Sequence, residues 1–71
     1  MYDFHIEFDH EDDGRWIAEV MEIPGALAYG ATREEAQGRA VALALRAVAE
    51  RIEHGEVLAN PQSITFATAQ L

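Results

Sequence analysis

The sequence predicts a small α+β domain, a sheet carrying one helix, with the elements in the order β-β-β-α-β. Three observations carry that reading. Apolar and polar residues alternate with a period of two near both ends of the chain, the stretch between Thr32 and Gly55 follows the helical period, and Gly and Pro punctuate the junctions.

Tyr2, Phe4, Ile6 and Phe8 alternate with Asp3, His5, Glu7 and Asp9, the pattern of a strand with one dry and one wet face. His10 to Gly14 supplies a turn, with Asp13-Gly14 suited to positive φ. Extended character resumes from Arg15 to Met21 through Trp16, Ala18 and Val20, so the first two strands form a hairpin. Pro24-Gly25 ends the second strand, and Ala26 to Tyr29 is long enough for a third that stops at Gly30.

Thr32, with Glu35 three positions on, makes a capping box that satisfies the first backbone N–H groups of a helix. His54 in the last turn and Gly55 in a left-handed position end it, so the helix is expected over about residues 33 to 53. Ala36, Ala40, Leu43 and Ala47 share one stripe, Val41, Leu45, Val48 and Ile52 an adjoining one, and Glu35, Arg39, Arg46, Glu50 and Glu53 lie opposite. An apolar arc of about half the circumference is wider than one sheet face readily covers. It points to a homo-oligomer, a dimer or tetramer, with a deep groove in a twisted sheet as the other way to cover it. After Asn60-Pro61, Ser63 to Thr68 alternates again and is read as the last strand.

Seventy-one residues allow one domain, 1–71, and 49% hydrophobic with 25% charged residues is the balance of a folded globule. The absence of cysteine excludes a disulfide framework and a thiolate zinc site. Five Lys+Arg against 13 Asp+Glu leave a formal charge of -8, which repels a phosphate backbone, so direct nucleic-acid binding is not expected. The acidity is local. Residues 1 to 31 hold Asp3, Glu7, Asp9, Glu11, Asp12, Asp13, Glu19 and Glu22 against Arg15 alone, a net of -7, while the helix balances four Arg with four Glu. With no basic, apolar leader and no run near the ~20 apolar residues of a membrane span, no membrane association and a cytoplasmic location are expected.

Asp9 to Gly14 places acids at positions 1, 3 and 5 and Gly at 6 of a calcium loop, but Val20 stands where the bidentate Glu belongs. His5, His10 and His54 lack a shared ligand spacing and read as surface residues. A carboxylate pair could be drawn from Asp9, Glu19 and Glu22, yet acids this numerous lie close by chance, so neither catalysis nor a metal or cofactor is expected.

Gly14-Arg15-Trp16-Ile17-Ala18, then Ile23-Pro24-Gly25, then Gly30-Ala31-Thr32-Arg33-Glu34-Glu35-Ala36 resemble, in order and spacing, the core of the HicB-like antitoxin family of bacterial toxin–antitoxin systems. The resemblance runs from Tyr2 to about Ser63. The residues that carry it, Gly14, Trp16, Ala18, Pro24, Gly25, Gly30, Thr32, Glu35 and Ala36, are scaffold positions, and Met21 and Ala26 stand where the family usually has Pro and Cys. It implies a partial RNase H-like fold and a partner of HicA type, a small basic ribonuclease toxin whose active surface the antitoxin covers. With a strand as the last element, no C-terminal DNA-binding segment and no autoregulation are expected. Charge and resemblance together make Asp9, Glu11, Asp12, Asp13, Glu19 and Glu22 the partner-docking candidates. The alternatives are an oligomeric HicB-like domain without a toxin, of unknown or ligand-sensing role, and a metal-dependent nuclease using Asp9, Glu19 or Glu22.

Overall fold

The structure, a computed structural model, describes residues 2–55 and 64–68. Along the chain stand β1 (Tyr2–His10), β2 (Trp16–Val20), β3 (Leu27–Gly30), α1 (Arg33–Glu53) and β4 (Ile64–Thr68). They form a small α+β fold, one helix on a four-stranded mixed sheet ordered β3-β2-β1-β4. The pairs β1–β2 and β2–β3 are antiparallel and β4 runs parallel to β1. A tight hairpin cannot deliver a parallel neighbour, and the long connection containing α1 carries the chain from one edge of the sheet to the other.

Local chemistry sets the two turns. In the first, the Glu11 carbonyl accepts from Gly14 N–H at 3.0 Å and the Glu11 N–H donates to the Arg15 carbonyl at 2.8 Å, closing the hairpin. In the second, Pro24 and Gly25 occupy the central positions, Gly25 has φ +88°, and Ala26 N–H donates to the Ile23 carbonyl at 3.1 Å. That is a type II turn, which needs positive φ at its third residue. Ala26 therefore belongs to the turn and β3 begins one residue later than expected. Ile23 and Ala26 are both buried, so this turn also plugs one end of the core.

The core lies between α1 and one face of the sheet. Register sets Ile6 opposite Val20, Phe8 opposite Ala18, Ala18 opposite Ala28 and Trp16 opposite Gly30, all on the helix side. At the β1–β4 side Phe4 and Phe66 pair across the strands with ring centroids 5.3 Å apart. The helix packs on β3 and β2 through Ala36, Ala40, Ala44 and Val48. This stripe runs between the two that the sequence suggested. Leu43 and Leu45 flank it and remain 36% and 41% exposed. The reason is distance: the sheet beneath presents Ala18, Ala28 and Gly30, and small residues on both layers let the backbones approach until no Leu fits between them.

Gly30 shows how close that approach is. A Cβ built there would lie 2.5 Å from the Ala36 backbone nitrogen, so Gly30 is required by the neighbouring helix and not by its own φ, which is not positive. The cap differs in one bond. Thr32 Oγ1 accepts from Glu35 N–H at 3.1 Å as expected, but Glu35 Oε1 accepts from Ala31 N–H at 3.2 Å, one residue before the usual partner in a capping box. Arg39 stands one turn further on, its Nη1 3.2 Å from Glu35 Oε1 and donating to the Tyr29 carbonyl at 2.9 Å. Two side chains of α1 thus clasp the end of β3. No helix among the described residues is long and apolar enough to cross a membrane.

Candidate functional site

The other face of the sheet carries no second layer in the described residues, and the parity of the strands decides what it shows. Asp3, His5, Glu7 and Asp9 of β1 point there, with Arg15, Ile17 and Glu19 from β2 and its approach, Leu27 and Tyr29 from β3, and Thr65 from β4. Two rows cross it. Glu7 sits opposite Glu19, which sits opposite Leu27, and Asp9 sits opposite Ile17, which sits opposite Tyr29. Like charges directly opposite in a ladder destabilise it, so the Glu7–Glu19 pair is a feature the fold tolerates and does not need.

Between these rows lies a shallow open depression of ≈ 230 Å³, lined by Glu7, Asp9, Glu19, Ile17 and Leu27 with Phe8. Its floor is aliphatic and its rim is carboxylate. Leu27 and Tyr29 are each 41% exposed, and the Arg15 guanidinium lies 4.6 Å from the centre of the Tyr29 ring. The face therefore grades from acidic over β1 to apolar and partly basic over β3.

Each end of the acidic strip is fastened. Glu22, beyond β2, accepts from His5 N–H through Oε1 at 2.8 Å and meets His5 Nδ1 through Oε2. It stands in at the end of the β1–β2 ladder, where the chain leaves for the second turn after Met21 N–H has donated to the His5 carbonyl at 2.9 Å. The hydrogen bond and the charge of Glu22 raise the His5 pKa, and bonds from the His5 backbone and ring lower that of Glu22. At the hairpin, Asp13 accepts from Arg15 N–H at 3.0 Å and from Arg15 Nε at 2.8 Å, and the backbone bond, then the side-chain bond and charge, hold its carboxyl below the ordinary value. At β4, Thr65 Oγ1 donates to Asp3 Oδ1 at 2.6 Å.

The six docking candidates therefore fall into three places. Asp9 and Glu19 share the open face, Glu22 is tied to His5 at one end, and Glu11, Asp12 and Asp13 form the turn at the other. Within the turn Asp12 and Asp13 are exposed and Glu11 is half-buried. Asp13 spends its charge on Arg15, so the three are not equivalent. Among the described residues no three His, Asp or Glu side chains come together as a metal site. The apolar members of the face, Ile17, Leu27 and Tyr29, were not singled out from sequence. The odd parity they share with Glu7 and Asp9 could have found them once the hairpin register was known. Comparison with protein-family models, curated proteins and solved structures returned no match.

Proposed function

We propose that the chain is a HicB-like, antitoxin-type binding protein that uses the open sheet face to cover the basic active surface of a HicA-type ribonuclease. The observation that carries this is the composition of one uncovered face, carboxylates of Glu7, Asp9 and Glu19 around an aliphatic floor of Ile17 and Leu27. A Lys or Arg from a partner buries an apolar stem while its charged head stays at the rim, which is what such a depression accepts. The field of residues 1 to 31 steers a cationic partner, and contacts with Ile17, Leu27 and Tyr29 set how long it stays. The sheet order, with β4 parallel to β1 and one crossover helix, supports the partial RNase H-like relation that belongs to the same proposal.

The test is inhibition of a purified HicA-type ribonuclease on RNA. The wild-type chain should suppress cleavage at a ratio near one to one. A Glu7→Lys, Glu19→Lys variant should associate at least about tenfold more slowly at low salt, with the difference shrinking as salt rises. A Glu34→Lys, Glu50→Lys variant, equal in charge but altered on the helix, should behave as wild type. Equal slowing by both pairs would show that net charge and not this face is recognised.

A further inference from the structure

We infer that β3 is a self-association edge, and that two copies of this chain join β3 to β3 in antiparallel fashion about a two-fold axis, extending the sheet across both. Register and hydrogen bonds say which backbone groups are on offer. Val20 N–H donates to the Ala26 carbonyl at 2.9 Å, one position beyond the last register pair Glu19–Leu27, and this bond fixes the parity of the β2–β3 ladder. Alternate pairs then bond to β2, so Ala28 and Gly30 face β2 while the N–H and C=O of Leu27 and Tyr29 point out of the sheet. The Arg39 bond to the Tyr29 carbonyl agrees with that assignment. A carbonyl keeps a second lone pair, so this contact leaves Tyr29 able to accept from a neighbouring strand. Centred on Ala28, the pairing sets Leu27 opposite Tyr29 of the second copy and Tyr29 opposite its Leu27, with two backbone bonds at each.

Charge selects a second copy as the occupant. Two chains of formal charge -8 cannot meet through the acidic strip over β1, but the β3 side is locally balanced, Arg15 by Asp13 and Arg39 by Glu35. The face is also self-complementary. Across the join the open-face row reads Glu19, Leu27, then Tyr29 and Ile17 of the second copy. Arg15 of that copy lies over its own Tyr29 ring and stays paired with its own Asp13 beside the join. The two-fold repeats the contact in reverse, as an isologous interface requires. The broad apolar arc of the helix, which from sequence suggested the subunit contact, is the weaker place. Leu43 and Leu45 project about 160° apart around the axis, on opposite sides of the buried stripe, and do not form one patch.

Light scattering and sedimentation at micromolar concentration test this on the whole chain. Wild type should show twice the 7.9 kDa of one chain. Leu27→Pro removes an outward N–H that β2 does not use, so it should leave the far-UV spectrum intact and give the single-chain mass. Leu43→Glu and Leu45→Glu should remain dimeric. A wild-type chain of single mass would overturn the inference, as would a dimer that survives Leu27→Pro or one that is lost on changing Leu43 or Leu45.

Discussion

The two faces of this sheet are built from the same strands, yet one makes the fold and the other carries no second layer among the described residues. On the covered face Phe4, Ile6, Ala18 and Val20 are buried beneath a helix that approaches through Ala and Gly. On the open face the intervening residues place Glu7 against Glu19 and leave Leu27 and Tyr29 in contact with water. Stability alone would select neither arrangement on the second face. Residues that the folded state does not need are what the proposed binding role would account for.

The largest expected difference between the faces is seen by shortening one Ile on each. Ile6 is fully buried, so Ile6→Ala should cost about 2–5 kcal/mol through lost burial and the cavity left behind. Ile17 is half-buried under no second layer, so Ile17→Ala should cost about 1 kcal/mol. Urea unfolding of both variants measures the gap, and equal losses would mean that the open face is covered by something that contributes to stability.

Two glycines sharpen the same contrast at the helix. Gly30→Ala should destabilise by about 1–3 kcal/mol, because the new methyl meets the Ala36 backbone, which cannot swing away as a side chain would. Gly38, exposed in the middle of α1 with nothing within 4 Å of a built Cβ, should respond in the opposite sense. Gly38→Ala is expected to add about 0.5–1 kcal/mol by restricting the unfolded chain. Thermal melts read both signs.

These residues also show what could be read without coordinates. Thr32, Glu35 and Gly55 marked the helix ends, because capping is local chemistry within a few residues. Strand alternation gave each strand two faces for the same reason. Ala44 as part of the packing stripe was not legible, since a helical wheel weighs hydrophobicity while the site is decided by the distance between layers, which the small residues of a different strand set. Gly30 was recognised as necessary, but its reason lies across space at Ala36. The open face needed the register that places Glu7 beside Glu19 and Leu27, and a turn's length in sequence leaves that register open to a bulge. The finding that Asp13 is held by Arg15 depends on side-chain geometry at the turn.

The smallest effect concerns the end of the acidic strip. Since the His5 pKa is raised on folding, its contribution is complete below 6.5 and disappears as pH rises through the higher folded value. Glu22, lowered on folding, contributes above 4.5 and loses that contribution as pH falls through its folded value. The two shifts describe one interaction, so wild type should exceed His5→Gln in stability most between 4.5 and 6.5, with the margin narrowing on either side. Denaturant midpoints across pH check this. A margin that does not change with pH would show the pair to be a neutral hydrogen bond without an ionic part.

The most direct test of the division between the faces is methyl NMR of the chain titrated with a HicA-type ribonuclease. Ile17 and Leu27 report the open face, Ile6 and Val20 the covered one, and Leu43 and Leu45 the outer flanks of the helix. The methyl signals of Ile17 and Leu27 should shift or broaden first and most, those of Ile6 and Val20 should hold, and Leu43 and Leu45 should be unmoved. Shifts confined to Leu43 and Leu45, or none at concentrations where cleavage is suppressed, would contradict that division.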